Sequence, residues 1–246
     1  MSAANVLWYY FILNLARFVF FLLGGIRSRG KVNVPKSGAT IIAPLHVSHL
    51  DPPAVACGTN RRLRFMAKEE LFHHRQFGWL IRSLGAFPVK RGEGDTESIR
   101  LAMKLLESGE AVLIFPEGTR GDGVTMNPMN KGVPMLAKRT GAQVVPVGVV
   151  GTHKAWPKGK SKPSRHRITL IYGEPFTYAD VATGATEKEN REIFLRELER
   201  RLMELCAGAG LNLRSAQSIA ARPESSAPET SSGPPHRETA DTPGHP

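Results

Sequence analysis

His46 and Asp51 are the first residues in the chain whose types and spacing suggest chemistry. They lie five positions apart in the segment PLHVSHLDPP, which follows a predicted strand. An Asp followed by Pro is typical of a helix start, so we place Asp51 near the N-cap and Pro52 near N1. The loop then brings His46 beside Asp51, and a histidine held by a carboxylate suits a general base acting on a hydroxyl. Taken alone, the spacing fits a surface histidine near a capping aspartate better than a catalytic pair.

A second segment, FPEGTR, follows the apolar run Ala111–Phe115. A loop at the carboxyl end of a strand lies where open α/β sheets bind ligands. Gly118 permits close backbone approach, and the planar guanidinium of Arg120 suits phosphate oxygens. Glu117 is expected to accept hydrogen bonds from acceptor hydroxyls or to orient Arg120. The alternative is a turn that carries an exposed ion pair.

Two shorter segments add to this pattern. The segment GAFPVKR predicts a short strand that ends in Lys90 and Arg91, which form either a phosphate clamp or a solvated basic strand end. The segment VVPVG predicts a buried strand in which Pro146 indicates a bulge or a sheet edge. We expect this last strand to contribute core packing.

The elements that must position these residues alternate between strands and helices. Helical spacing is present from Ile99 to Leu106 and from Glu187 to Leu205. Apolar, β-branched runs predict strands at Thr40–Ala43, Leu63–Met66, Ala111–Phe115, Val144–Val150 and Ile168–Tyr172. The pattern predicts an α/β fold with a mostly parallel mixed sheet covered by helices.

The N-terminal stretch from Val6 to Ile26 is almost continuously apolar and long enough to span a bilayer. Asn14 and Arg17 interrupt it on one helical face, and a central charge costs about 2.5 to 3.5 kcal/mol on insertion scales. We therefore predict a membrane-associated helix that does not complete a clean span, with a buried core helix as the alternative. The predicted division is a membrane segment at 1–30, a catalytic domain at 31–207 and a disordered tail at 208–246.

The charge of the chain favours anionic partners. Its 33 Lys and Arg against 22 Asp and Glu give a formal charge of +11. No RNA-binding aromatic signature or zinc-finger spacing is present, so nucleic acid is not an expected partner. Cys57 and Cys206 stand alone, which argues against a disulfide framework, a zinc site or a thiol nucleophile and favours a reducing compartment. No metal or other cofactor is expected.

Taken in order, the segments HxxxxD, GxFxVxR and FPEGTR, with the Pro-containing strand after them, resemble the lysophosphatidate (1-acylglycerol-3-phosphate) acyltransferase family. The resemblance implies acyl transfer from a thioester to a glycerolipid hydroxyl, with His46 as base and Asp51 as its orienter. The substrate-binding residues that follow from it and from the local chemistry are Lys90, Arg91, Glu117, Gly118, Thr119 and Arg120. Many relatives have Asn where this chain has Leu45, and His49 duplicates a possible base.

The implied reaction is acylation of lysophosphatidate to phosphatidate in phospholipid biosynthesis. The expected partners are the membrane lipid acceptor, an anionic membrane surface and either acyl-CoA or acyl carrier protein. The basic segment 153–167 is expected to rest on anionic headgroups, receive an acidic donor or simply be solvated. We expect membrane association with the catalytic domain on the cytoplasmic side. The alternatives are another acceptor (glycerol 3-phosphate, a lysophospholipid or an ornithine lipid) or a non-catalytic basic membrane-binding module.

Overall fold

The computed structural model describes residues 3–89, 96–157 and 159–215. The α-helices within these residues are α1 Ala3–Leu22, α2 Asp51–Gly58, α3 Arg75–Ser83, α4 Thr96–Glu107, α5 Gly132–Thr140, α6 Thr152–Ala155, α7 Tyr178–Val181 and α8 Glu187–Ala207. The strands are β1 Ile26–Arg29, β2 Thr40–Pro44, β3 Leu63–Lys68, β4 Ala86–Val89, β5 Ala111–Leu113, β6 Thr125–Met126, β7 Gln143–Val150, β8 Ile168–Tyr172 and β9 Arg214–Ser215. Short 3-10 turns occupy Lys31–Asn33 and Glu69–Phe72.

A seven-stranded sheet organises the fold, in the order β1-β8-β7-β2-β5-β3-β4. Strands β7, β2, β5, β3 and β4 are parallel, whereas β8 is antiparallel to β7 and β1 is parallel to β8. The predicted α/β fold with a mostly parallel mixed sheet is therefore confirmed. One edge of the sheet collects the carboxyl ends of β2, β5, β4 and β7 together with the first residues of β1 and β8. We call it the active edge.

Burial explains why the central strands were recognisable in the sequence. All five residues of β2 are buried, and only the two end residues of β7 are not, as expected for strands with helices on both faces. On one face, Tyr172 donates a hydrogen bond to the Val55 carbonyl of α2, and α1 packs on α2. On the other face α8 packs on β7, with Phe194, Leu198, Leu202 and Cys206 buried along it.

The ends of the domain differ from their predicted positions. The sheet begins at Ile26, inside the segment 1–30 that the sequence assigned to the membrane, because β1 pairs with β8 from Ile26 to Arg29. The predicted disordered tail is folded in its first part, since Leu211 and Leu213 are buried and β9 pairs with β6. The rest of that tail, 216–246, lies outside the described residues.

Pro146 lies in an interior strand and not at the sheet edge, so the edge alternative was wrong and the bulge alternative holds. Val147 pairs with Tyr172, and Val144 forms a bridge with Phe176. From Val144 to Val147 the backbone advances by three residues, whereas from Tyr172 to Phe176 it advances by four. Proline has no amide hydrogen to donate. The extra residue lies opposite Pro146, so the regular pairing is interrupted where that hydrogen bond is missing.

Helix α1 lies against the domain along one side only. Tyr9, Leu13 and Phe20 are buried, while most of its other apolar side chains are exposed. Arg17 donates from Nε to the Cys57 carbonyl in the last turn of α2, at 3.2 Å, and from Nη1 to Asn14. By length and composition this is a helix that could cross a membrane, although only 17% of its most apolar window is buried in the domain.

Candidate active site

His46 and Asp51 meet at the active edge, directly after β2. His46 Nδ1 lies 2.9 Å from Asp51 Oδ2, with the carboxylate fully buried and the imidazole 14% exposed. An ionised carboxylate only accepts hydrogen bonds, so Nδ1 carries the ring proton and Nε2 is the basic nitrogen. Within the described residues nothing bonds Nε2. The imidazole can therefore accept a proton from a substrate hydroxyl.

Asp51 also anchors the loop that carries His46. Its Oδ2 accepts hydrogen bonds from the Val47 and Ser48 amides, both at 2.7 Å. Asp51 is the first residue of α2 and Leu50 is the N-cap, one position earlier than the sequence suggested. The carboxylate consequently faces back toward the loop and does not cap its own helix. Three donors converge on one oxygen, which fixes the imidazole ring relative to the backbone.

Glu117 joins the His46 loop to the FPEGTR loop. Its Oε1 accepts from the His46 amide at 3.2 Å and its Oε2 accepts from the Asn127 amide at 2.9 Å. In return, the Gly121 amide donates to the His46 carbonyl at 2.8 Å. Burial raises the pKa of Glu117, and the bonds from the Asn127 and His46 amides oppose that rise. Both carboxylate oxygens accept from backbone amides, so Glu117 has the geometry of a positioning residue, and the substrate contact that the sequence suggested stays a prediction.

Phe115 makes a contact that the sequence did not reveal. β5 ends at Leu113, two residues earlier than predicted, and Phe115 lies in the loop with its ring stacked on His46. The ring centroids are 3.9 Å apart and the planes are inclined by 24°. The only signal for this role was the position of Phe115 at the start of the FPEGTR motif.

The last three residues of that motif, Gly118, Thr119 and Arg120, turn toward solvent. Gly118 has φ +65°, a left-handed conformation that favours glycine, and a Cβ there would require the Asn130 side chain to move. Thr119 is exposed and Arg120 is half-buried. In the described parts of the chain, Arg120 forms no hydrogen bond or ion pair with another residue. Arg120 directly precedes Gly121, whose amide bonds the His46 carbonyl, and its guanidinium has no partner among the described residues.

Lys90 and Arg91 lie outside the described residues. β4, which precedes them, ends at Val89 and has its carboxyl end on the active edge. The predicted phosphate clamp formed by this pair stays a prediction.

His49, the other histidine of the loop, has a different environment. It is exposed, and its ring lies 5.6 Å from that of Trp156. Burial lowers its pKa first, and the nearby charges of Arg120 and His46 lower it further. Among the described contacts only His46 has a carboxylate bonded to its ring, which favours His46 as the base.

The two cysteines lie away from this pair and are poor nucleophiles. Burial raises the pKa of Cys57 to about 11 and that of Cys206 to about 12, so both stay protonated at neutral pH. No group of three or more His, Cys, Asp or Glu side chains within the described ranges could hold a metal ion.

Comparison with known proteins gives this geometry a family. The model of the family described as Acyltransferase matches residues 25–150, which include both histidines of the loop and the whole FPEGTR motif. This chain belongs to the Acyltransferase family. It is an enzyme of the acyltransferase type, and the match covers β1 to β7 of the sheet.

Individual relatives of this acyltransferase agree. It is 32% identical over 206 residues to a 1-acyl-sn-glycerol-3-phosphate acyltransferase of Bacillus subtilis, covering 80% of this chain and all of the relative. A lyso-ornithine lipid O-acyltransferase of Pseudomonas aeruginosa is 35% identical over 106 residues, or 42% of this chain and 40% of that one. The crystal structure of the 1-acyl-sn-glycerophosphate acyltransferase PlsC of Thermotoga maritima superposes with a TM-score of 0.66 at 26% identity, covering 81% of this acyltransferase and 80% of PlsC.

Proposed function

We propose that this acyltransferase moves a fatty acyl group from an acyl thioester to the free hydroxyl of lysophosphatidate, forming phosphatidate. The observation that carries the proposal is that Arg120, whose guanidinium has no partner among the described residues, lies in the loop whose Gly121 amide bonds the carboxylate-held His46. A phosphate bound to that guanidinium leaves the glycerol hydroxyl within reach of the imidazole. The full-length similarity to the Bacillus subtilis relative supports the same acceptor.

The transfer needs one base and no acyl-enzyme. His46 Nε2 accepts the proton of the acceptor hydroxyl while the hydroxyl oxygen attacks the thioester carbonyl carbon. The resulting oxyanion collapses, the carbon–sulfur bond breaks, and the thiolate takes the proton from the imidazolium. Asp51 stabilises that imidazolium through Oδ2, and Glu117 and Phe115 keep the ring in place. The donor is acyl-CoA or acyl carrier protein, and no cofactor is required.

Changing Arg120 to lysine should reduce kcat/KM for lysophosphatidate by roughly ten- to a hundredfold or more. An ammonium keeps the charge but loses the planar pair of donors that matches phosphate oxygens, and one charge-assisted contact contributes about 1.5 to 3 kcal/mol. The measurement is steady-state kinetics on lysophosphatidate and on an uncharged monoacylglycerol of the same chain length. Only the kcat/KM for the phosphate-bearing acceptor should fall.

The matched control is Arg139→Lys, at an exposed arginine near the end of α5 that has no ion pair in the described parts of the chain. It should leave both substrates unaffected. If Arg120→Lys lowers the two rates by the same factor, Arg120 serves the donor or the fold, and the phosphate acceptor is ruled out as its ligand.

A second acceptor has a specific observation in its favour. The Pseudomonas aeruginosa relative, at 35% identity, is named for a lyso-ornithine lipid, whose hydroxyl acceptor carries no phosphate. If lyso-ornithine lipid is the acceptor, wild type prefers it to lysophosphatidate, and Arg120→Lys loses nothing on it. The same kinetic series, extended to lyso-ornithine lipid, therefore separates the two acceptors.

Membrane association belongs to the same proposal. Leu7, Phe11, Phe18 and Phe21 on α1 are between 58% and 74% exposed. Trp79 of α3, 62% exposed, extends this surface, with its ring 5.6 Å from that of Trp8. Together they form an apolar face of the kind that lies in a bilayer interface without crossing it. The catalytic domain is then on the cytoplasmic side, where both candidate donors occur.

Changing Phe11 and Phe18 together to serine should weaken binding to phospholipid vesicles by on the order of a hundredfold. Each exposed phenylalanine gains up to about 1.5 to 3 kcal/mol when the lipid covers it. Vesicle co-sedimentation measures the loss. Activity on bilayer-embedded acceptor should fall with binding, whereas activity on a short-chain soluble acceptor should not change.

Val32→Ser provides the control, because Val32 is 91% exposed but follows β1, at the end of the sheet opposite the active edge. An equal loss of vesicle binding in Val32→Ser would mean that general surface hydrophobicity, and not the α1 face, holds the protein on lipid.

A further inference from the structure

A basic cavity opens where α1 passes into β1. It measures about 510 Å³, and its lining includes Arg27, Arg165 and Arg167 together with the exposed Phe21 and Leu22. No acidic residue lines it. Within the described ranges none of the three arginines forms an ion pair or a side-chain hydrogen bond.

The backbone around the cavity is tightly tied. The His166 amide donates to the Leu23 carbonyl at 2.7 Å, and the Ile168 amide donates to the Gly25 carbonyl at 3.0 Å. A Cβ on Gly24, whose φ is +115°, would lie 2.8 Å from the backbone carbon of His166. This close approach requires glycine at position 24. It holds the start of β1 against the start of β8, so the backbone at the base of the cavity is held in place.

Strand register explains why the arginines share one side. Arg27 of β1 pairs with Thr169 of β8, two residues beyond Arg167. Paired residues of neighbouring strands and alternate residues of one strand point to the same face of a sheet, so Arg27 and Arg167 share that face. Arg165 lies before β8, outside the strand, and lines the same cavity. The three cations therefore surround one volume.

Helix capping does not account for these charges. Arginine is favourable at a helix C-terminus when the last carbonyls lack partners. Here the Phe20 carbonyl accepts from the Gly25 amide, and the Phe21 carbonyl accepts from the Gly24 amide. These two carbonyls of the last turn of α1 are already bonded to backbone amides, which leaves the guanidinium groups available to a ligand.

We propose that this cavity binds the phosphate of one anionic phospholipid of the membrane, at a site separate from the catalytic one. Guanidinium groups pair with phosphate oxygens, while Phe21 and Leu22 continue the apolar face of α1 toward the glycerol and acyl chains. The proposal rests on the membrane association in the proposed function and not on the identity of the acceptor.

The position in the sheet keeps this site apart from His46. The cavity lies at β1 and β8 and the catalytic loops follow β2 and β5, so two strand intervals of about 4.8 Å from β8 and three from β1, or about 10 to 14 Å, separate them. That distance is too long for one glycerol phosphate to place its phosphate in the cavity and its hydroxyl at His46. Both sites nevertheless lie on the active edge, so a bound lipid turns the catalytic loops toward the bilayer.

The test uses the full chain and vesicles of phosphatidylcholine with or without phosphatidylglycerol. Changing Arg165 and Arg167 together to alanine should weaken binding to the anionic vesicles about thirtyfold, since each near-surface cation contributes about one kcal/mol. Binding to neutral vesicles and activity on a short-chain soluble acceptor should be unchanged. The control is Arg139→Ala with Lys188→Ala, which removes the same charge from exposed positions on α5 and α8 and should change binding less than about threefold.

Arg165→Lys with Arg167→Lys separates a phosphate site from diffuse charge. It should still bind anionic vesicles several-fold more weakly than wild type, because an ammonium lacks the planar fork. Wild-type binding by this variant, or an equal loss in the control, would overturn the proposal. So would normal vesicle binding of the alanine variant with a raised KM for acyl carrier protein, which would assign the cavity to the donor. Failure of wild type to acylate lysophosphatidate would refute the proposed acceptor and leave this result intact.

Discussion

His46→Ala should lower acyl transfer by about a hundred- to ten-thousandfold, the range expected when a general base is removed. The structure leaves no second carboxylate-held imidazole at the active edge among the described residues. The change deletes the ring that stacks on Phe115 but leaves the Val47 and Ser48 amides bonded to Asp51. The loop should therefore persist, and thermal unfolding followed by circular dichroism should stay close to that of wild type.

His49→Ala is the matched control in the same loop. His49 is exposed and has no described bond to Asp51, so its removal should change kcat by less than about threefold. The base assignment is wrong if His49→Ala is the inactive variant while His46→Ala turns over normally.

Asp51→Asn should also lower kcat, by roughly ten- to a hundredfold, but without disturbing the loop. Because the Val47 and Ser48 amides both donate to the Oδ2 position, they select the carbonyl oxygen of the new amide for that place. Nδ1–H of His46 then still finds an acceptor, and the ring keeps its tautomer. What is lost is the negative charge that stabilises the imidazolium during transfer.

Asp51→Ala is the informative comparison, since it removes the acceptor of three hydrogen bonds as well as the charge. Denaturant unfolding should show Asp51→Ala to be less stable by a few kcal/mol, with a smaller loss for Asp51→Asn, whose amide nitrogen takes the buried Oδ1 position that has no described hydrogen-bond partner. If Asp51→Asn instead retains wild-type turnover, the carboxylate acts only as a scaffold for the loop and its charge has no part in catalysis.

The strands and the residues at their ends were predictable because β2, β5 and β7 are buried on both faces and leave apolar runs in the sequence. Parallel strands deliver their following loops to one edge, which is why His46 and Glu117 could be expected near each other. The role of Glu117 could not be predicted. Both of its carboxylate oxygens accept from backbone amides, one of them 71 positions away. A backbone amide donates whatever side chain its residue carries, so the sequence does not mark these partners.

The helical segments show the same limit. The spacing of Asn14 and Arg17 predicted a shared face, and Arg17 indeed donates to Asn14. That Arg17 also reaches the Cys57 carbonyl depends on how α1 packs against α2, which periodicity does not encode. For a similar reason β1 was missed. A four-residue strand with two exposed arginines has no apolar run, and only its pairing with β8 reveals it.

The bond from Arg17 to the last turn of α2 has a further consequence, because Asp51 is the first residue of that same helix. Eight residues at about 1.5 Å each make α2 a rigid spacer of about 12 Å between the Arg17 contact on α1 and the catalytic carboxylate. If α1 lies in the bilayer interface as proposed, this spacer keeps the reacting imidazole within about the depth of a headgroup layer of the lipid. The proposed lysolipid acceptor would then rise by only part of its own length to present its hydroxyl, and its acyl chain would stay in the bilayer during the reaction.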